Sequence, residues 1–330
     1  MFKKLFKSFL AVFVVSVLFL GFSPQVKAFE PENPECIAPA NPGGGWDFIC
    51  RTTSKYLFEL GLLKQTMRVT NMAGGGGGVA FAHVTKERNN DNNLIVAAST
   101  STVVRLAQGI YKGAGLDSVH WVGTFGAEFG VIAVGKKSKF KSLKELMEAV
   151  KQNPRSVGFA GGSSVGGWDH LKVMLLARAA GVKDVKKLKY VAFAGGGEAV
   201  TSVLSGSVEA FTGDLSEVRG FIDSGDIRVL AVLAPKRLKI YPNIPTAKEQ
   251  GYDVIGANWR GYYMPKGASK EAKEYWTKTL KKMAETEVFQ KDVEAKGMEI
   301  FINFGKDMDK FVKENYENIY HLSKEIGLIR

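Results

Sequence analysis

The chain has 330 residues with 45 Lys+Arg against 33 Asp+Glu, a net charge of +12, 37 glycines and two cysteines. That length admits two domains. The basic excess does not make a nucleic-acid binder, because no fold motif of that class accompanies it and much of it is lysine on helix faces (136–144, 183–189, 270–282). A positive field does favour encounter with small anions.

Met1 to Ala28 reads as a targeting segment. Lys3, Lys4 and Lys7 precede an apolar run from Phe9 to Phe22, and Val26-Lys27-Ala28 offers small residues for cleavage. An uncleaved anchor is the alternative, since the run is nearly long enough to span a membrane. Pro24 and the cleavage site following at once favour removal near Ala28 and a periplasmic product. About 302 of the 330 residues then remain, and loss of four lysines takes Lys+Arg from 45 to 41 against 33 acids, a net charge near +8.

Cys36 to Cys50 opens with the X-Pro pairs Ala38-Pro39 and Asn41-Pro42 and runs through Gly43-Gly44-Gly45 to Trp46-Asp47. A helical rhythm follows, with Ile49, Thr53, Tyr56, Leu57 and Leu60 on one face. The spacing predicts a short strand, a glycine loop and a helix capped by Asp47. Such a loop presents unpaired N–H groups at the positive end of a helix, a cradle for anions. Export favours oxidation, and two cysteines without other partners predict a Cys36–Cys50 disulfide. It would close a loop of about 15 residues, worth roughly 3 kcal/mol on the chain-entropy model.

Met67 to Asn71 reads as a strand delivering the Gly74–Gly78 loop, with a helix from Val79 to Lys86 behind it. Leu94 to Ala98 is a buried strand ending in Ser99-Thr100-Ser101-Thr102, before a helix starting near Val103. Hydroxyls there suit a carboxylate ligand, although one of them must cap the helix. Trp121 to Val134 is a long apolar run. Helix Ser142–Lys151 and strand Val157–Ala160 lead to Gly166-Gly167-Trp168-Asp169 and a helix from His170 to Ala180. Strand Leu188–Phe193, loop Gly195–Gly197 and helix Glu198–Leu204 follow, then strands Val208–Thr212 and Val229–Leu233. Val254 to Tyr263 reads as a return strand. Two long amphipathic helices, Ala268–Gln290 and Lys306–Leu328, close the chain.

The Trp-Asp loop therefore occurs twice, each time trailed by a glycine run. Gly74 begins 28 residues after Trp46, and Gly195 begins 27 after Trp168. The fold class expected is α/β with parallel-rich sheets, in two lobes that offer glycine-lined helix starts to a shared cleft. Lobe one takes residues 29–130 and 256–330, and lobe two takes 131–255. Phe129–Val134 and Ala257–Tyr262 are the expected crossing strands. A single continuous sheet carrying both Trp-Asp loops would reduce the repeat to ordinary α/β turns.

Enzymatic chemistry finds little support. Gly162-Ser163-Ser164-Val165-Gly166 matches G-x-S-x-G, which makes Ser164 a candidate nucleophile of a secreted hydrolase. Its base would have to be His170, which is too local, or His321, on an amphipathic terminal helix. Gly74-x-Gly76 lacks the third glycine and the acid of a dinucleotide fingerprint, and no G-K-[ST] follows any loop. No His/Cys/carboxylate cluster has metal spacing. No enzyme, cofactor or metal is expected. Loops of Gly, Ser, Thr and Trp bind a small molecule and release it unchanged.

Cys36-Ile37-Ala38-Pro39-Ala40-Asn41-Pro42-Gly43-Gly44-Gly45-Trp46-Asp47 closely resembles the first loop of the solute receptors of tripartite tricarboxylate transporters, the Bug receptors. Asn71 to Gly78, Gly161-Gly162-Ser163-Ser164, Phe193 to Gly197, Gly213-Asp214 and Pro242-Asn243-Ile244-Pro245-Thr246 match in order. The resemblance spans nearly the whole chain after Ala28. It implies a periplasmic type II binding protein that closes on a carboxylate and delivers it to membrane permease subunits. The paired cysteines and the Gly-Gly-Gly-Trp-Asp form resemble the citrate-receptor branch, so a tricarboxylate is favoured. A ligand-presenting sensor subunit is the alternative use of the same cleft. A monomer is expected, with no nucleic-acid partner.

The ligand is expected to rest mainly on backbone amides and hydroxyls. Lobe one would supply Gly44, Gly45, Trp46, Gly75, Gly76, Gly77, Ser99 and Thr100; lobe two would supply Gly162, Ser163, Ser164 and Gly196. Asp47 and Asp169 would be loop caps. Asp214 would either accept a ligand hydroxyl or cap, and Arg260 is the candidate compensating charge.

Overall fold

The computed structural model describes residues 29–329, so the targeting segment lies outside the described residues. Strand β1 (Glu35–Ala38) is wholly buried and pairs in parallel with β2 (Arg68–Asn71) and β3 (Leu94–Ser99). Helix α1 (Gly45–Glu59) returns along this set and is tied to β1 by the Cys36–Cys50 disulfide, with Cα atoms 5.7 Å apart. Helices α2 (Gly78–Lys86) and α3 (Thr100–Ala107) follow β2 and β3.

The chain then enters β4 (Val119–Gly135), a strand of 17 residues that organises the rest. Its first part, to Phe129, pairs antiparallel with β9 (Ala257–Pro265) and β10 (Glu299–Phe304). From Gly130 onward its partners are β7 (Ala210–Asp214) and β8 (Ile227–Val232). β7 continues in parallel to β5 (Gly158–Gly161), and β5 to β6 (Lys189–Ala192). The ten strands thus form one hydrogen-bonded ladder, β2-β1-β3-β9-β4-β7-β5-β6, with β8 and β10 also on β4. The continuity runs through β4. β9 begins at the partner switch and stays with the first set, so the Ala257–Tyr262 stretch does not cross as expected. By hydrogen bonding alone this is the continuous sheet that would make the repeat ordinary; the exchange of every partner at Phe129–Gly130 is what two sheets sharing one strand produce. Three backbone bonds staple the switch: Gly130 N to Gly256 O (2.8 Å), Leu233 N to Gly130 O (2.7 Å) and Gly256 N to Leu233 O (2.8 Å).

Alternation along β4 sends its side chains to two cores. Ile132 and Val134 join the larger one, with α4 (Leu143–Gln152) and α5 (Trp168–Ala179), while Phe129, Val131 and Ala133 pack with α6 (Gly196–Leu204) and α7 (Leu215–Asp223). The expected helix over 268–290 is two, α8 (Lys270–Ala284) and α9 (Glu287–Ala295), broken at Glu285–Thr286. α10 (Lys306–Glu325) ends the fold. Helix α7 and strand β10 were not foreseen.

Candidate functional site

Both Trp-Asp loops and both trailing glycine runs meet around one cavity of about 220 Å³. Gly44, Gly45 and Trp46 from the first loop line it, with Gly75, Gly76 and Gly77 beside them. Gly162, Ser163, Ser164 and Asp169 come from the second Trp-Asp unit, Gly196 from the start of α6, and Asp214 and Arg260 form the floor with Glu217 and Asn258. Gly76 has φ +63°, and a methyl group there would lie 3.0 Å from Arg105 Nε and collide with Ser164 Oγ. Glycine at this point lets the first run touch the second loop.

Ser99 and Thr100 are not on the wall. Ser99 is fully buried and its hydroxyl caps α3, accepting from Ser101 N at 3.1 Å. Thr100 Oγ1 accepts from Trp259 N at 3.2 Å and donates to Ala257 O at 3.3 Å. These two hydroxyls are used by the backbone, and Ser101 and, a turn further on, Arg105 reach the cavity instead. Asp47 and Asp169 are not N-caps either: Gly44 and Gly167 hold those positions, without side-chain bonds. Asp47 instead accepts from Gly43 N at 3.0 Å, from Arg51 Nε at 2.9 Å and from Asn71 Nδ2 at 2.9 Å, and so still holds the loop in shape. The second loop is held by Ser163 Oγ, which accepts from Asp169 N at 3.0 Å.

Asp169 belongs to a buried ion cluster. Lys172, with no exposed surface, lies 2.9 Å from Asp169 Oδ1, Asp214 Oδ1 and Gly213 O. Arg260 pairs with Glu128 Oε1 at 2.6 Å and Asp214 Oδ2 at 2.8 Å. Burial alone would raise the Asp214 carboxyl, but Lys172 and then Arg260 outweigh it and hold it below the usual range. Glu217, on α7, goes the other way. Burial and then the neighbouring charges of Asp214 and Asp169 push it up to about 8, so it carries its proton at neutral pH, while its Oε2 accepts from Asp214 N at 2.9 Å. Arg260, the charge expected to face the ligand, is thus already spent on two carboxylates.

The residue missed is Arg105. It is 4% exposed and lines the cavity, and it donates to Gln108 Oε1 at 3.1 Å and Val165 O at 2.9 Å. It has no ion pair among the described residues. The helix expected from near Val103 puts it within the first turn, and the sequence gives no sign that the facing loop would fold over it. The hydrolase geometry is not assembled. Ser164 Oγ has no hydrogen-bond partner, His170 Nδ1 accepts from Gly166 N at 3.0 Å, and His321 is exposed on α10. Burial and then the charge of Arg105 push His170 down to about 4.

Residues 57–328 match the family model described as tripartite tricarboxylate transporter family receptor. Protein BugT of Bordetella pertussis is 28% identical over 268 residues, 78% of each chain, and an Agrobacterium vitis protein is 27% identical over 278 residues, covering 83% of this chain and 77% of its own. Among solved structures, the periplasmic binding protein BugD superposes with a TM-score of 0.79 at 24% identity, covering 90% of this chain and 98% of that one. Rpa4515 of R. palustris, solved with adipate, gives 0.80 at 21% identity over 89% and 97% of the two chains. MatC of Rhodopseudomonas palustris, with bound malate, gives 0.75 at 18% identity over 88% and 98%. These likenesses are of fold, that of periplasmic binding proteins. With the family model matched over most of the sequence, the chain belongs to the receptors of the tripartite tricarboxylate transporter family, a family of solute-binding receptors rather than enzymes.

Proposed function

We propose that this protein is an exported, monomeric receptor that captures a small carboxylate in the cavity and delivers it to the membrane permease subunits of a tripartite transporter. The observation that carries the reading is a cavity walled by glycine-loop backbone, with one buried guanidinium that no carboxylate among the described residues neutralises. Relatives of the same fold solved with adipate and malate support the ligand class. The division into lobes follows the partner switch in β4: residues 29–130 and 256–330 form one, and 131–255 the other.

In this reading the amides of Gly45, Trp46, Gly75, Gly76, Gly162 and Gly196 hold the anion, with the hydroxyls of Ser163 and Ser164; Gly44 and Gly77 also line the cavity, but their N–H groups already donate to Asn41 O at 3.2 Å and Gly74 O at 3.1 Å. Ser99, Thr100 and Arg260 support the walls. A citrate-like preference fits the charge balance less well. Two cations, Lys172 and Arg260, already serve three carboxylates, Asp169, Asp214 and Glu128. Arg105 brings that sum to zero and is the cavity's one guanidinium without a carboxylate partner among the described residues, so one ligand carboxylate finds a cation there and a mono- or dicarboxylate fits better than a trianion. A thermal-shift screen of mono-, di- and tricarboxylates tests this: binding raises the melting temperature by mass action. No shift with any carboxylate at millimolar concentration refutes the assignment.

A further inference from the structure

Resting on the carboxylate-receptor reading, we propose that Arg105 is the specificity-determining residue of the site: it takes one ionised carboxylate of the ligand, while Asn258, which lines the same cavity, takes a hydrogen-bond donor. The preferred ligand is then a carboxylate whose far end is a hydroxyl, amide or amine.

Arg105 differs from the other buried cations near the cavity. Lys172 touches two carboxylates and Arg260 touches two, but the neighbours of Arg105 are neutral: Gln108, the Val165 carbonyl, Tyr111, Tyr190 and His170. Burial without a counter-charge lowers its pKa, and its interaction with a ligand carboxylate would relieve that penalty. A guanidinium offers five donors, of which the protein engages NH1 and NH2. Ser164 Oγ, on the loop that Arg105 grips, is buried without a hydrogen-bond partner, so a second polar group beside the guanidinium also awaits one.

Asn258 has the opposite need. Asn258 Nδ2 donates to Asp214 Oδ2 at 2.5 Å, which fixes its amide orientation, and its Oδ1 is left buried without a partner. An unmet buried acceptor is costly, and a ligand donor that reaches it recovers that cost. The acids around it, Asp214, Asp169 and Glu128, exceed the cations Lys172 and Arg260 by one charge, so a second ligand carboxylate is disfavoured there and a donor favoured. Glu217, protonated at neutral pH, adds no charge.

The test is calorimetry on the full mature chain and its R105M and R105K variants. The probes are unbranched dicarboxylates from succinate to adipate, their monoamides and their diamides, with circular dichroism to show that each variant is folded. At matched length the monoamide should bind at least as tightly as the dicarboxylate. R105M should weaken the monoamides by on the order of 10–100-fold and the diamides by a clearly smaller factor, since a neutral amide loses no charge partner; R105K should lie between for the monoamides. Undiminished monoamide binding by R105M, or by R105K should R105M fail to fold, overturns the role of Arg105. Dicarboxylates binding more than ten-fold tighter than monoamides overturn the donor preference. If no probe binds the wild-type chain, the carboxylate reading falls together with this inference.

Discussion

Lys172→Met removes the charge at the centre of the buried cluster while keeping most of the side-chain volume. Lys172 is fully buried and holds Asp169 and Asp214 each at 2.9 Å. Its loss leaves Asp169 unpaired and Asp214 with Arg260 alone. Removing one partner of a buried pair costs about 3–5 kcal/mol, because the survivor is a buried charge without compensation. With an unfolding entropy of about 2.1 cal/mol/K per residue, about 300 residues give roughly 0.6 kcal/mol/K, so the melting temperature should fall by roughly 5–8 °C. The pH dependence carries the sharper test. Asp214 is held below the ordinary aspartate value of 3.8 by Lys172 and Arg260, against the pull of burial, so its contribution is present above that value and lost as pH falls through the lowered one. In the variant that contribution shrinks. The gap between variant and wild type should be widest near neutral pH and should close only as pH falls below 3.8, where Asp214 takes its proton and no longer needs the cation. Thermal unfolding followed by circular dichroism across that range measures it. A shift below about 1 °C at neutral pH would show the cluster to be solvated, and the charge balance argued for the cavity would fall with it.

Glu217→Gln should flatten the pH dependence of stability. Its pKa is raised from 4.5 to about 8, so the wild-type contribution is full below about 4.5 and is lost as pH rises through 8; the amide has no such slope, and equal slopes in the two proteins would contradict the assignment. The double variant Cys36→Ser, Cys50→Ser should lose about 3 kcal/mol in denaturant unfolding, while thiol labelling of the denatured, unreduced wild type should find no free cysteine. Ser99→Ala should cost about 1 kcal/mol of stability through loss of the α3 cap and leave affinity intact. Ser164→Ala should do the reverse, weakening carboxylate binding with little change in melting, since its hydroxyl makes no bond within the protein; matching effects of the two would mean that the wall is misassigned.

Much of the architecture was legible because its signals are local. Glycine runs, X-Pro pairs and strand–loop–helix alternation mark the Trp-Asp loops and the trailing runs, and export with only two cysteines marks the disulfide. The misplaced details are those that depend on what packs opposite. Ser99 and Thr100 were read as ligand hydroxyls, yet α3 starts at Thr100 rather than near Val103, so both hydroxyls fall to the backbone. Arg260 sits beside Trp259 on β9 and looked free in one dimension; Glu128 and Asp214 reach it from 132 and 46 residues away. β10 escaped notice because its Glu299–Phe304 sequence is only half-buried beyond an exposed first residue, which blurs the alternation of a strand.

The cluster beneath the loops explains how an anion site can be built with little net charge. Arg260 lies directly under the start of α1, where a methyl group on Gly45 would lie 3.0 Å from its NH1. A bare cation there would oppose the positive end of the helix. Pairing with Glu128 and Asp214 removes that conflict and fixes the guanidinium as a rigid floor. Gly196 rests in the same way against Glu217, whose carboxyl stays neutral near pH 7 and so leaves the amides of α6 uncompensated. The attraction for an anion then comes from helix-start amides and from Arg105. Since Arg105 also grips Val165 O and Gln108 Nε2 donates to Gly166 O at 2.8 Å, the group that recognises charge is the group that clasps the facing loop. On the proposed role of Arg105, ligand binding and clasping of the loop are joined in one side chain, so the affinity of the site depends on where the Val165–Gly166 loop sits.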